Sequence, residues 1–283
     1  MGIVLGIDIG GSTTKIVGFS SREHLLGEQQ VKATDQVTSM YGAIGHFLRK
    51  YRISLTDIGK IVLTGVGASF FNEDIYGIPT DKIDEFIAIG YGGLYLSGMD
   101  EAFVVSMGTG TAFVRAAKGA ITHMGGSGVG GGTLLGLSSI MLNKNDIDAI
   151  LDVAENGYAE NVDLLVKDIV NYEIPSLPPN ITASNFGNVK STASEGDLAI
   201  GIINMIIQTV GMLAAFVSKN DPIKNFIMTG TLSTLPQARE IFDAIGIIHG
   251  LKFTIPYNAV FATAIGAAVS YMKDADGFNN NTV

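Results

Sequence analysis

Three short segments of this chain set glycines and hydroxyl residues directly after an apolar run: "DIGGSTTK" (8–15), "SMGTGTAF" (106–113) and "TGTLST" (229–234). Glycine lets backbone N–H groups crowd around an anion, and a nest of such groups holds phosphate without net positive charge. Candidate nucleotide contacts are therefore Gly10, Gly11, Ser12 and Thr13 in the first turn, Gly108, Thr109, Gly110 and Thr111 in the second, and Gly230 and Thr231 in the third. Asp8 stands just before the first glycines, where a carboxylate can hold Mg²⁺ directly or through water. Lys15, on the returning strand, either meets a phosphate oxygen or is a solvated strand lysine. Taken singly, each turn is an ordinary hairpin; three in one chain point to a bound nucleotide. No "GxxxxGK[ST]" occurs, and the first turn leads to another strand instead of a helix, so neither a P-loop nor a dinucleotide-binding fold fits.

The elements that must position these turns alternate between strand and helix. Ile7 and Ile9 before the first turn, and Ile16 and Val17 after it, predict two strands joined by a tight hairpin. "QVTSMYGAIGHFLRKY" (36–51) has helical spacing, "IGKIVLTGVG" (58–67) is a buried strand ending in a glycine turn, and "DKIDEFIAIGYGGLYLSG" (81–98) contains a helix beginning near Glu85. "EAFVVSMGTGTAFVRAAKGAITHM" (101–124) repeats the strand, glycine turn and strand about 100 residues after the first, so two related halves are expected. "GGSGVGGGTLLGLSSIML" (125–142) leads into a helix, while "IDAILDVAENG" and "VDLLVKDIV" predict two further short helices. The proline cluster in 172–188 must be irregular. Thr192 and Glu195 have capping-box spacing ahead of a long apolar helix, 198–218. A strand ending in the third turn and a small-residue helix (258–272) close the fold, and the tail from Asp274 is expected to be disordered.

Composition limits what such a site can belong to. With 283 residues, 47% of them hydrophobic, the chain can bury a large core in one large or two moderate domains. A net charge of −9 gives no global field to attract nucleic acid or anionic lipid, so neither is an expected partner. The absence of cysteine excludes disulfides, thiolate zinc sites and cysteine-ligated iron–sulfur clusters, and fits a cytoplasmic setting. No basic segment followed by an apolar run opens the chain. The 198–218 segment is long enough to span a bilayer but follows Glu195 and Asp197, which favours a buried soluble helix.

The three turns resemble the two phosphate motifs and the adenosine motif of the superfamily that includes sugar kinases, actin and the chaperone ATPases. That resemblance implies an α/β protein with ATP held in a cleft between two ribonuclease H-like domains, here residues 1–94 and 95–283. Within the superfamily, "DEFIAIG" (84–90), "HMGGSGVGGGTLLGL" (123–137) and "ITASNFGNV" (181–189) are similar to the type II and eukaryotic pantothenate kinases. The resemblance makes Glu85 the catalytic base; without it, Glu85 is a first-turn carboxylate favoured by the helix dipole. Six glycines in the eight residues from Gly125 to Gly132 make an entropically costly loop. Its continuation into a helix suits backbone approach to a substrate, and in the family this segment helps shape the pantothenate pocket. Thr109, Gly125, Gly126 and Gly130 are accordingly expected at the substrate. The family usually carries an arginine just before this loop, where His123 stands here, and Arg115 on the preceding strand is the residue expected to compensate.

The expected activity is ATP- and Mg²⁺-dependent phosphorylation of pantothenate, the first step of coenzyme A synthesis, by a homodimer. The apolar helix supplies the expected dimer interface, with Ile206 as its test position. A sugar or N-acetylhexosamine kinase of the same fold and a non-catalytic nucleotide sensor are the alternatives. The zinc-containing sugar kinases and the iron–sulfur dehydratase activators need cysteines that are absent.

Overall fold

The computed structural model describes residues 2–275, apart from 33–34, 118, 171 and 173–177. The chain runs β1 (Ile3–Ile9), β2 (Thr13–Ser21), β3 (His24–Lys32), α1 (Gln36–Tyr51), β4 (Ile58–Thr64), β5 (Thr80–Lys82) and α2 (Glu85–Ser97). A second series follows: β6 (Glu101–Met107), β7 (Thr111–Ala117), β8 (Ala120–Ser127), α3 (Gly131–Leu142), α4 (Ile147–Ala154), β9 (Leu164–Leu165) and β10 (Thr182–Ser184). The chain then continues through α5 (Glu195–Val217), β11 (Asn225–Thr229), α6 (Pro236–His249), β12 (Lys252–Thr254) and α7 (Ala262–Ala275).

Two five-stranded sheets have the same construction. The first is ordered β3-β2-β1-β4-β5 and the second β8-β7-β6-β11-β12. In each, a three-strand antiparallel meander is extended by two parallel strands. Even the turn after the parallel strand recurs: Gly65 (φ 85°) ends β4 and Gly230 (φ 84°) ends β11, each opening a short 3₁₀ turn. The expected two related halves are thus present, each with one strand more in its meander than the sequence pattern suggests.

Strand alternation decides which side chains meet which helix. On β1, Leu5, Ile7 and Ile9 pack with Met40, Ala43, Ile44 and Phe47 of α1. Val4 on the opposite face packs, with Val17, Phe19 and Val62, against Ala264, Ile265 and Ala268 of α7. In the second sheet, Phe103, Val105 and Phe113 face α3, α5 and α6. Val104, Val114 and Ile227 face Ile89 of α2. A pair of helices, α2 on the second sheet and α7 on the first, therefore fills the space between the sheets. The two helices touch backbone to backbone. A Cβ added to Gly92 would lie 1.9 Å from the carbonyl oxygen of Ala262, and one added to Gly266 would lie 1.8 Å from that of Ala88.

Several local expectations are corrected. "VDLLVKDIV" is not a helix: Leu164–Leu165 pairs with β10 and a single 3₁₀ turn, Val166–Asp168, follows. Within the proline cluster, residues 173–177 lie outside the described residues, and Thr182–Ser184 forms a strand. α5 is capped by Ser194, whose hydroxyl accepts from Asp197 N–H (3.1 Å) while the Asp197 carboxylate accepts from Ser194 N–H (2.8 Å). The capping box falls two residues later than Thr192–Glu195 because Asp197 also accepts from Tyr158 N–H (2.7 Å), which anchors the preceding loop. α7 runs through Ala275, and the rest of the tail lies outside the described residues. α5 is long and apolar enough to cross a membrane, yet half of its most apolar stretch is buried against its own protein. Ile206 is among those buried residues, at 1% exposure, and packs in the core with Val210 and Phe242. It is a core residue and not the surface position expected of a dimer contact.

Candidate active site

The first two glycine turns meet. Gly10 N–H donates to Thr13 C=O (3.0 Å), closing the β1–β2 hairpin, and Ser12 Oγ at its tip lies 3.3 Å from Thr109 Oγ1 of the β6–β7 turn. Residues 97 positions apart, one from each sheet, thus share a hydroxyl contact. The third turn sits behind the second: a Cβ on Gly230 would come within 2.5 Å of Met107 C=O, and Gly230 N–H donates to Ala259 C=O (2.9 Å). The three expected nucleotide segments therefore converge, with Gly10, Gly11, Ser12 and Thr13 facing Gly108, Thr109, Gly110 and Thr111 across the junction of the sheets.

Asp8 is one residue from the end of β1 and opposite Lys15 in the antiparallel register, so both side chains project from the face that α7 covers. Lys15 Nζ lies 3.7 Å from Asp8 Oδ2 and donates to Thr13 Oγ1 at 3.1 Å. Both residues are buried, which rules out the solvated lysine. Burial pushes the Asp8 carboxyl above its ordinary range by more than the Lys15 charge pulls it down. A cation, or a phosphate recruiting Lys15, would rebalance this pair.

Glu85 opens α2. Asp84 caps that helix, its carboxylate accepting from Phe86 N–H (2.9 Å) and Ile87 N–H (3.1 Å). Burial first, then the negative charges of Asp8 and Asp84, raise the Glu85 pKa, while Lys15 opposes them. Glu85 therefore lies within electrostatic reach of the Asp8–Lys15 pair. Phe86, next on the helix, stacks on His123 of β8 with ring centroids 3.7 Å apart and planes 10° apart. His123 is thus fixed one residue from Glu85 while remaining exposed.

Arg115 does not join them. Consecutive residues alternate across β7, and Val114, paired with His123, faces α2, whereas Arg115 faces the other side of the sheet. There its Nε donates to Asp221 Oδ2 at 2.7 Å. Burial raises the Asp221 carboxyl, but Ile223 N–H, the Arg115 guanidinium and Lys224 outweigh it and hold the carboxyl below its usual range. The expectation that Arg115 compensates for His123 fails on strand parity, which a one-strand reading cannot fix without the register of the β7–β8 hairpin.

The glycine-rich segment also behaves differently from a free substrate loop. Gly125 and Gly126 belong to β8, paired with Phe113 and Ala112, and Gly125 (φ 136°) supplies the positive φ beside a bulge in this pairing. At the helix start, Gly131 N–H donates to Gly108 C=O (2.8 Å) and Gly132 N–H to Thr109 C=O (2.9 Å). Gly130 N–H meets Thr133 Oγ1 (3.2 Å), and Thr111 Oγ1 donates to Val129 C=O (2.8 Å). A Cβ at Gly130 would lie 2.7 Å from Thr109 C=O. The N–H groups of Gly131 and Gly132, at the start of α3, are thus spent on bracing the β6–β7 turn.

Sequence reasoning missed Thr64. It ends β4 beside Asp8 in the parallel pairing, is fully buried, and its Oγ1 has no hydrogen-bond partner among the described residues. Its signal was present in "LTGVG", which repeats the "MTGTL" of the third turn.

Two matching sheets meeting at paired glycine turns define a two-halved α/β protein of the actin-like ATPase fold. Solved structures agree. The (R)-2-hydroxyglutaryl-CoA dehydratase component A of Acidaminococcus fermentans matches with a TM-score of 0.72 at 16% identity, covering 98% of this chain and 100% of that one. A ROK family glucokinase from Streptomyces griseus, in complex with glucose and AMPPNP, matches with a TM-score of 0.60 at 14% identity, covering 95% and 99%. Within that class, this chain is similar to the type II pantothenate kinases. The type II pantothenate kinase of Staphylococcus haemolyticus is 27% identical over 276 residues, 93% of this chain and 98% of the relative, and residues 99–238 match the Fumble family.

Proposed function

We propose that this protein is an ATP- and Mg²⁺-dependent kinase that transfers the γ-phosphoryl group to the primary hydroxyl of pantothenate. The observation that carries the reading is the meeting of Ser12 and Thr109 at 3.3 Å, above a buried Asp8–Lys15 pair with Glu85 at the adjoining helix start. Phosphoryl transfer asks for phosphate cradling, charge neutralisation and an acceptor for the hydroxyl proton, and these groups divide those tasks. The glycine turns hold the phosphates, Lys15 supplies local positive charge, and Glu85 takes the proton. A carboxyl whose pKa is raised is a stronger proton acceptor once ionised. His123, held against Phe86, borders the position of the incoming hydroxyl and contacts the pantothenate carboxylate.

Asp8 suits Mg²⁺, which commonly keeps one or two protein carboxylates and takes its remaining ligands from phosphates and water. Its buried oxygens face one lysine at 3.7 Å, and its raised pKa reports an under-compensated charge. Bound there, Mg²⁺ would neutralise phosphate charge.

The highly similar fold of a dehydratase component does not extend to its chemistry by way of cysteine, since this chain has none. We assign residues 1–94 and 95–283 to the two ribonuclease H-like halves, with α7 returning across the boundary. The protein is proposed to act in the cytoplasm as a homodimer, whose surface draws on exposed apolar residues such as Ile140 of α3. An ADP-release assay across pantothenate, pantetheine, glucose and N-acetylhexosamines tests the reading. Turnover with pantothenate is expected; turnover with a sugar alone assigns the sugar-kinase alternative, and none with any acceptor assigns the nucleotide sensor.

A further inference from the structure

The chain contains the same strand ending twice, and the two copies differ in one hydrogen bond. Thr64 ends β4 before Gly65, and Thr229 ends β11 before Gly230; both threonines are buried and both project toward the α2–α7 pair. Thr229 Oγ1 donates to the carbonyl of Val105 on the neighbouring strand, at 3.2 Å. Its partner across the parallel pairing is Ser106. Thr64 instead lies across from Asp8, and its Oγ1 makes no hydrogen bond among the described residues.

A buried hydroxyl without a partner is costly, and an apolar residue of the same shape would be the more stable choice. Thr64 Oγ1 is also closed off from solvent, so the group that satisfies it must be a protein atom that moves. The acceptor paired with Thr64 across the strands is the Asp8 carboxylate. Its Oδ1 sits where a Cβ on Gly65 would come within 2.6 Å, while its Oδ2 leans toward Lys15. A carboxylate that binds a cation is commonly held in place by a further hydrogen bond to its other oxygen.

We propose that Thr64 is a positioning residue for Asp8: its hydroxyl donates to the carboxylate when Asp8 turns from Lys15 to a divalent cation carried by the nucleotide phosphates. The inference rests on the reading of Asp8 as the cation-facing carboxylate. It assigns to Thr64 no contact with substrate and no part in proton transfer. The free hydroxyl is a donor held in reserve for the loaded state, and Thr229, facing a serine, has no such task and uses its hydroxyl on the backbone.

The test compares wild type, Thr64→Val, Thr64→Ser, Thr229→Val and Asp8→Asn. Mn²⁺ binding in the presence of ADP is followed by electron paramagnetic resonance, and melting of the nucleotide-free protein is followed in parallel. Thr64→Val should weaken Mn²⁺ binding ~10-fold or more, the scale of losing an outer hydrogen bond to a metal ligand. Its nucleotide-free Tm should stay at or above that of wild type, and Thr64→Ser should restore the affinity. Thr229→Val should lower Tm and leave Mn²⁺ binding unchanged. Thr64→Val with wild-type Mn²⁺ affinity, while Asp8→Asn is impaired, overturns the inference alone. So does a Thr64→Val protein that melts early or fails to fold, because the hydroxyl would then serve the backbone as Thr229 does. Wild type that binds no Mn²⁺ with ADP, or Asp8→Asn that binds it normally, overturns the cation reading of Asp8 and the inference with it.

Discussion

Replacing Gly92 by alanine puts a methyl group into the contact that joins α2 to α7. In place, that Cβ would sit 1.9 Å from Ala262 C=O and 2.7 Å from the Ala262 carbonyl carbon. Backbone atoms cannot rotate away, so the helices must separate by more than an ångström. Overpacking of this kind costs about 1–3 kcal/mol, occasionally more. At about 2–4 °C per kcal/mol for a chain near this size, Tm should drop by roughly 2–12 °C. The second consequence is catalytic. Glu85 begins the same helix, and a displacement of about 1 Å between a catalytic group and its target can cost ~100-fold in rate. The variant should therefore lose kcat out of proportion to its loss of stability when assayed well below its Tm. Gly45→Ala in α1 is the control: nothing lies within 4 Å of its Cβ, and alanine should stabilise that helix by about 0.5–1 kcal/mol. Thermal melting and steady-state ADP release on the two proteins suffice. Gly92→Ala with wild-type Tm and wild-type kcat would refute the close helix contact and its link to Glu85.

Glu85→Gln should lower kcat by about 10²–10⁴-fold with KM for ATP little changed, since the amide cannot accept the proton; near-normal turnover removes Glu85 from the chemistry. Because the base must be ionised, kcat should fall as pH drops through the raised Glu85 pKa, and Asp84→Asn, which keeps a capping side chain but removes one repelling charge, should move that limb to lower pH. His123→Ala should raise KM for pantothenate, whereas Arg115→Ala should lower Tm and leave KM unchanged, as expected from opposite faces of β7; the reverse pattern would restore Arg115 to the site. Burial pushes the Asp197 carboxyl up, but N–H groups of Ser194 and Tyr158, with the side chains of Ser194 and Asn161, bring it down to about 2 from 3.8. The folded value is depressed, so the stabilisation, on the order of 1–2 kcal/mol, is present above pH ~4 and lost as pH falls through ~2. Asp197→Asn should be less stable than wild type at pH 7 by that order in urea unfolding, and the gap should narrow in acid.

The three glycine turns were legible in the sequence because their signal is local: a glycine beside hydroxyl residues after an apolar strand needs no distant partner to be recognised. Glu85 was found at its helix start for the same reason, although its proximity to Asp8 and Lys15 depends on how α2 packs. β3 went unread because "HLLGEQQVK" has the mixed polarity of an edge strand, half-exposed along its length. The error at Arg115 was one of register. A β7–β8 hairpin with a bulge at Phe113/Val114 sets which residues share a face, and neither the bulge nor its position is written in composition. The glycine segment was read as a loop, whereas Gly125 and Gly126 lie in β8 and Gly131 and Gly132 bond to the carbonyls of Gly108 and Thr109, more than 20 positions back. For Thr64 the sequence carries only the repeat of "MTGTL" in "LTGVG"; that its hydroxyl is unsatisfied is a property of packing, not of type.

The return of α7 to the first sheet has a consequence for how the chain is made. Ribosomal synthesis releases residues 1–82, and with them every strand of the first sheet, long before residue 262 exists. Until then α1 can cover one face, but on the other Val4, Val17, Phe19 and Val62 lack Ala264, Ile265 and Ala268 of α7 and have only α2, as in the contact of Phe19 with Tyr95, while the Asp8–Lys15 pair lacks the cover of α7. The first sheet therefore completes its second face only when α7 arrives, whatever the order of emergence. A stop codon near residue 255 would delete only the closing segment in sequence, yet it would strip the oldest part of the nascent chain of its cover, and a holding chaperone would be expected to dwell on that apolar face throughout elongation.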